Sequence, residues 1–467
     1  IVLTMRTNQK YFALSDASGA LAPAFICVAN LDATDGGAAI IHGNQRVLSA
    51  RLSDARFFWE QDLATVRAGG LEAFLPKLND IVFHEKLGTL ADKVERVAAL
   101  ARWLCESGAV PADPAQAEKA ARLAKADLVS ATVGEFPEVQ GQIGRYLALA
   151  IGVEPAIANA IRDHYKPAGQ GDDVPTAPVS VAVALADKID TLAAFFAIGL
   201  EPTGSKDPFA LRRAALGVVA TLIANTTRLN LLLASYTAQV GVAGTLLKVH
   251  TDPKVVRLID NVLAIASMDR TDLSIEKQIE LAIAAAPEAP EVVPGSPIWM
   301  ANFVLQRLSA QQRDSGIRHD VIDAILYAKG GDSDLVRLLA RVKALQAFVE
   351  TEDGTNLLAG YKRAANILKA AEKDGIGEPA SGEGEGAEAL LAAALATALP
   401  TAKQAVADER FTDAMAALAS LRGPVDAFFT DVMVNDPDPG IRARRLALLA
   451  RFRDAVHGVA DFSKIEG

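Results

Sequence analysis

Apolar positions recur every three to four residues along most of this chain. In GTLADKVERVAALARWLCESG the side chains of Leu90, Val94, Val97, Ala98, Ala101 and Leu104 form one stripe that stops at Gly108. That spacing predicts an amphipathic helix closed by glycine. PAQAEKAARLAKADLVSATVGEF and VAVALADKIDTLAAFFAIG repeat the pattern. The first seventy or so residues follow another rhythm. KYFALSD, AFICVAN and AAIIHGN are short runs with aromatic or β-branched residues, separated by turn signals at Ser18-Gly19, Asp35-Gly36-Gly37 and Gly43-Asn44. They predict three short strands. A helix is then expected in LSDARFFWEQDLATVRAG, where Leu52, Ala55, Phe58 and Trp59 share a face and Ser53 or Asp54 caps the start. The all-α part begins there.

Breaks in the pattern divide the chain. KPAGQGDDVPTAP, from Lys166 to Pro178, reads as a loop, and APEAPEVVPGSP, from Ala286 to Pro297, as a proline-rich linker. GIGEPASGEGEGAE, from Gly375 to Glu388, reads as a mobile Gly/Glu loop. The expected organisation is an N-terminal α/β segment over 1–73, a helical domain over 74–206, a helical linker with an insertion over 207–298, and a second helical domain over 299–467. The fold class is mainly α with a short β-containing N-terminal segment.

Composition supports this. Of 467 residues 51% are hydrophobic but only 6% aromatic, which favours helix-rich packing. Cys27 and Cys105 form no C-x-x-C, so neither a disulfide framework nor a cysteine-rich zinc site is expected, and the cytoplasm is the expected compartment. The longest apolar runs, such as ALLAAALATAL, fall short of the ~20 residues that cross a bilayer, so no membrane partner is expected. Opening at Ile1 in mid-pattern suggests a fragment. The net charge of −10 argues against a nucleic-acid partner for the chain as a whole. Yet IRARRLALLARFR, from Ile441 to Arg453, holds five arginines and no acid.

Several stretches invite a chemical reading. Gly199, Gly204, Ser205 and Lys206 in IGLEPTGSKDPFALRRAALG nearly spell a phosphate-binding loop. That loop needs a preceding strand and a hydroxyl directly after the lysine. Here the preceding element is helical and Asp207 follows Lys206. Asp207 is better read as the cap of a helix with Pro208 in its first turn and its end at Gly217. The six histidines, at 42, 84, 164, 250, 319 and 457, show no H-x-x-x-H spacing. His319-Asp320 is a literal His-Asp doublet, in which Asp320 is better read as the cap of a helix running to Tyr327. His84, with Asp187 or Asp190, could supply ligands of a His-Asp metal centre. Where that centre needs its doublet, the chain has Lys125-Ala126-Asp127, and an ammonium would occupy the cation's place. Glu135 and Glu138 flank Pro137 as a carboxylate pair with no nucleophile nearby.

Basic residues are the remaining lead. In NLLAGYKRAANILK, Lys362 and Asn366 lie four apart beside Tyr361 and Arg363. Arg442 and Arg445 are three apart, and Arg444 and Arg451 seven apart. Cations meet phosphates, while tyrosine and asparagine can stack on or hydrogen-bond unpaired bases.

Taken together, MRTNQKYFAL, GNQRVLSARLSDARFFWEQD, LGTLADKVERV, AKADL, EFPEVQG, ALADKIDTLAAFFAIGLEPTGSKDPFALRRAALG, KRAANIL, LRGPVDAFFTDVMV and RRLALL…VADFSKI closely resemble the β subunit of bacterial heterotetrameric glycyl-tRNA synthetase. The resemblance covers nearly the whole chain, apart from about Ala238 to Pro297, and the family's β subunit is longer at its N-terminus. It implies a degenerate His-Asp-like helical domain in the middle and a C-terminal DALR-type anticodon-binding helical bundle. It also implies a division of labour. The α subunit makes glycyl-adenylate from glycine and ATP with Mg, two α and two β subunits assemble, and β binds and positions tRNA(Gly) without catalytic residues or a cofactor of its own. Lys362, Arg363, Asn366, Arg442, Arg444 and Arg445 are then expected to contact the anticodon arm, and Lys206, Arg212 and Arg213 other tRNA phosphates. His84 and Asp187 are expected as vestiges of a metal centre. The competing reading is a working metal-dependent phosphohydrolase that uses them.

Overall fold

The computed structural model describes residues 11–169, 171–249, 296–326, 328, 332–374 and 384–466. These divide into two compact units, one drawn from Ile1–Thr227 and Leu232–Val304, the other from Arg228–Leu231 and Leu305–Gly467. The segments expected at 1–73 and 74–206 thus belong to the first unit, as does 207–298 apart from Arg228–Leu231, and the second unit resumes at Leu305 rather than at 299. The proline-rich stretch up to residue 295 and the Gly/Glu stretch 375–383 lie outside the described residues.

The first unit opens with an antiparallel hairpin, β1 (Phe12–Ser15) and β2 (Leu21–Ile26). The third expected strand is helix instead. AAIIHGN begins α1 (Ala38–Gly69), a helix of 32 residues. Its start is set by Asp35, whose carboxylate accepts the backbone N–H groups of Gly37 and Ala39 at 2.9 Å each. This aspartate cap ahead of a long run of helix formers overrides the local β signal of Ile40-Ile41. Ser53 and Asp54 are therefore interior positions. A second small hairpin, β3 (Val82–His84) and β4 (Gly88–Thr89), interrupts what reads as continuous helix.

Beyond it the helical pattern holds. Helix α2 (Leu90–Glu106) starts at a capping box in which Thr89 and Asp92 satisfy each other's backbone N–H groups. Asp113 caps α3 (Pro114–Leu123). Short elements follow: α4 (Ala131–Glu135), α5 (Gln142–Ala150) and α6 (Pro155–Asp163). Helix α7 (Pro178–Ala197) is apolar nearly all round and buried along almost its whole length, as such a helix must be. It packs against α2, α3, α6 and the following α8 (Leu211–Ala224).

Helix α8 corrects one expectation. Asp207 does cap it, accepting from Leu211 N at 2.8 Å and Arg212 N at 3.0 Å, but Pro208 lies ahead of the helix. Ala210 adopts a left-handed conformation (φ 56°), so regular helix begins only at Leu211. Gly217 does not end it. A Cβ at Gly217 would lie 2.7 Å from the Lys188 side chain, so this glycine lets α8 approach α7. Helix α9 (Leu231–Val249) follows.

The second unit contains α10 (Pro297–Asp314) in part, then α11 (His319–Leu326), α12 (Leu335–Val349), α13 (Glu352–Asp374), α14 (Ala387–Ala407), α15 (Phe411–Ala419), α16 (Arg422–Asp431) and α17 (Pro439–His457). Leu345, Leu391, Leu418, Phe428, Phe452 and Phe462 anchor its core. The apolar run expected to be too short for a bilayer sits in α14, whose 21 residues suffice by length and composition alone. Leu391, Leu395, Ala398, Ala402 and Ala405 of this helix belong to the core of the unit. Tyr361 is also a core residue, only 2% exposed, with its hydroxyl bonded to His457 Nε2. Burial pushes its pKa up to about 12, and it cannot stack on a base as its neighbours in sequence suggested.

Candidate RNA-binding surface and a buried charge cluster

In the first unit, α2 and α7 present two oppositely charged pairs, Lys93 with Arg96 and Asp187 with Asp190, each three residues apart and therefore on one face. Asp190 accepts from Arg96 Nε at 2.7 Å and Lys93 Nζ at 3.0 Å. Asp187 lies 3.3 Å from Lys93 Nζ and 3.4 Å from Lys125 Nζ. Lys125 also sits 4.1 Å above the Tyr165 ring. Burial alone would raise the Asp187 pKa, but the Lys125 and Lys93 ammonium groups outweigh it and hold the carboxyl well below its ordinary value. Burial holds His164 neutral, with the Lys125 charge acting the same way. Lys188 is drawn down to about 8 by burial, partly offset by Asp187, and it donates to the Lys166 carbonyl at 2.7 Å.

This arrangement does not unite the metal ligands considered from sequence. The His84 ring packs against Phe195 and Phe209, at 5.5 and 5.7 Å between centroids. Asp187 faces two ammonium groups. Among the described residues no three His, Cys, Asp or Glu side chains converge as a metal would require. Asp127 is buried under α5, accepting from Gly141 N at 2.6 Å and Gly144 N at 2.9 Å. Burial lifts its pKa to about 6 against those bonds. Helix α11 opens at His319, so Asp320 lies in its first turn rather than capping it, paired with Arg318 and accepting from Glu466 N at 2.7 Å, and the expected end at Tyr327 lies outside the described residues. Glu135 bridges to Arg51 at 3.3 Å. Nothing here favours the phosphohydrolase reading.

The loop before α8 displays Lys206, and α8 displays Arg213, both exposed. Arg212 is turned back, donating to the Gly204 carbonyl.

In the second unit, α13 and α17 bring part of the basic set together. Asn366 and Arg442 line one concavity of about 540 Å³ with Asn435 and Asp436. Arg363 is exposed, its guanidinium 4.4 Å from the Phe429 ring centre, and Lys362 is half-buried on the same helix. Arg444 and Arg445 are differently occupied. Both pair with Glu388, which is 4% exposed, and Arg445 also reaches Asp436 at 2.7 Å. Burial would raise the Glu388 pKa, but the bonds from Arg444 and Arg445 bring it below its ordinary value. These two arginines fasten α14 to α17. Sequence spacing grouped Arg445 with Arg442 and Arg444 with Arg451, and could not show a buried acid, fifty-six positions from Arg444, on which Arg444 and Arg445 meet. Asn435 and Asp436 were also missed, since a loop after α16 carries no periodic signal.

The second unit is thus a helical bundle in which Asn366, Asn435, Asp436 and Arg442 meet at one concavity. Residues 357–462 match the family model described as the DALR anticodon binding domain. Residues 1–327 match the model described as Glycyl-tRNA synthetase beta subunit. The chain is 47% identical across its full length to the "Glycine--tRNA ligase beta subunit" of Rhodospirillum centenum, covering 59% of that protein. It is 46% identical over 99% of its length to the protein of that name from Phenylobacterium zucineum, and 45% to that from Paracoccus denitrificans, covering 60% of each. The chain belongs to the glycyl-tRNA synthetase β-subunit family. It spans about three-fifths of the length of the curated relatives it matches.

Proposed function

We propose that this chain binds and positions tRNA(Gly), in the cytoplasm, for glycylation on a separate α subunit that uses ATP and Mg, in an assembly of two α and two β subunits. This chain supplies no catalytic residue and no cofactor. The observation that carries the reading is the concavity formed by Asn366, Asn435 and Arg442 within the stretch matching an anticodon-binding domain. Arg442, Lys362 and Arg363 meet phosphates of the anticodon arm, and Asn366 meets an unpaired base. Arg444 and Arg445 add positive potential while they hold Glu388. Lys206 and Arg213, with Arg212 bracing their loop, meet phosphate elsewhere on the tRNA.

Equilibrium binding of tRNA(Gly) as a function of salt tests this. Affinity should fall steeply with salt, because each phosphate contact releases counterions. Arg442→Glu should weaken binding at least about tenfold and flatten the salt slope by about one. An Arg442→Glu protein with unchanged affinity would overturn the placement. Charging assays with α alone, this chain alone and the two mixed test the division of labour.

A further inference from the structure

The exposed large apolar side chains of the first unit are concentrated in one stretch of its sequence. Fourteen large hydrophobic side chains are exposed among the described residues, and nine of them fall between Phe12 and Phe57. Phe12 and Ile26 are direct cross-strand partners in the hairpin and are both at least half exposed. The opposite face of that hairpin is covered, since Tyr11 is buried against Phe25 and bonds Asn44 of α1 at 2.6 Å. Among the described residues each strand pairs only with the other, which leaves open edges. A two-stranded sheet with one bare apolar face is not a stable end state in water.

Helix α1 shows the same incompleteness. Its stripe is buried at the base, where Asp62 accepts from the backbone N–H groups of Ala131 and Thr132 at 2.8 Å each and Val66 enters the core. Higher up, Leu48, Leu52, Ala55 and Trp59 continue that stripe over an apolar cleft of about 340 Å³ closed by Phe136, Val139 and Ile143. Its cations are already engaged, Arg51 with Glu135 and Arg56 with Glu60, which favours a protein occupant over RNA.

We propose that this hairpin face and the cleft along α1 form an interface within the subunit, covered by the part of the full-length β polypeptide that lies outside these 467 residues. The curated relatives carry roughly two-fifths more of their own length than this chain matches. A covalently linked segment meets the face at high effective concentration, so the apolar surface is never free in the intact subunit. The occupant contributes apolar side chains to the α1 cleft and extended backbone to an open edge of the hairpin.

Amide hydrogen exchange followed by mass spectrometry, on the full-length subunit and on the 467-residue chain, tests it. Peptides from residues 12–57 should exchange at least tenfold more slowly in the full-length subunit. Ile26→Asp on the hairpin face and Leu52→Asp in the cleft, in the full-length subunit, should each abolish that difference while leaving protection of the second unit unchanged. Equal exchange in the two proteins would overturn the proposal. So would protection that appears in the 467-residue chain only on raising its concentration, which would assign the face to a second copy, or only on adding α subunit or tRNA.

Discussion

Replacing Asp187 by asparagine probes the buried charge cluster directly. The carboxylate lies 3.3 and 3.4 Å from the ammonium groups of Lys93 and Lys125, and all three side chains are at most 15% exposed. Lys93 keeps a second partner, Asp190, at 3.0 Å. Among the described residues Lys125 keeps the Tyr165 ring and the more distant charge of Asp127. The substitution therefore strands one buried cation, for which a cost of about 3–5 kcal/mol is typical. The ring contact offsets at most about 2 kcal/mol of the charge's burial, but it is present before and after and so does not reduce the difference. Adding Lys125→Met removes the stranded charge and should recover about half or more of the loss, since well-packed apolar replacements of buried pairs are often neutral. The assay is urea unfolding followed by tryptophan fluorescence. Trp59, Trp103 and Trp299 all lie in the first unit, so the signal reports that unit alone. A loss below about 1 kcal/mol for Asp187→Asn, or no recovery on adding Lys125→Met, would refute the account of the cluster as mutually neutralising charges.

Other expectations follow from the same geometry. Asp127 has its pKa raised from 3.8 to about 6, so its contribution to stability is greatest at low pH and is lost as pH rises between those values. The first unit should lose up to about 3 kcal/mol between about pH 4 and 6 by tryptophan-monitored urea unfolding, and Asp127→Asn should flatten that dependence. Glu388 has its pKa lowered by Arg444 and Arg445, so its contribution is present above the ordinary carboxyl value of 4.5 and lost as pH falls through its folded value. Glu388→Gln should destabilise the second unit by about 1–3 kcal/mol, read by amide exchange in α14 and α17, without changing the first unit. Gly217→Ala should cost about 1–3 kcal/mol by overpacking against Lys188, measured by the same fluorescence assay.

How much was legible in the sequence depended on what carried each signal. Helix α2 was placed closely because its period and its glycine stop agreed, and the Thr89 capping box that fixes its first residue was there to be read as well. AAIIHGN was misread because four apolar residues cannot separate strand from helix, and the deciding signal was Asp35 ahead of them rather than the run itself. The β3 and β4 hairpin is too short to carry any period. The end of α8 was misplaced because Gly217 answers to Lys188 on another helix, a tertiary constraint that local glycine rules cannot see.

The same distinction explains the two kinds of charged residue. Lys93, Arg96, Asp187 and Asp190 stand on otherwise apolar helix faces, and a charge at i,i+3 on such a face, opposed by its opposite on a neighbouring helix, signals burial. Read that way, Lys125 in place of a His-Asp doublet already implied that positive charge would meet Asp187 from within the chain. The arginines of α17 carry no such signal. Arg442 beside Asn366 and Arg444 on Glu388 sit two positions apart in one run, and only their partners from α13 and α14 separate a side chain at the concavity from one that closes the bundle. Charge reversal at the two positions should therefore separate as well. Arg442→Glu should act first on RNA affinity, and Arg444→Glu first on the stability of the second unit, because it opposes Glu388 where that acid is buried.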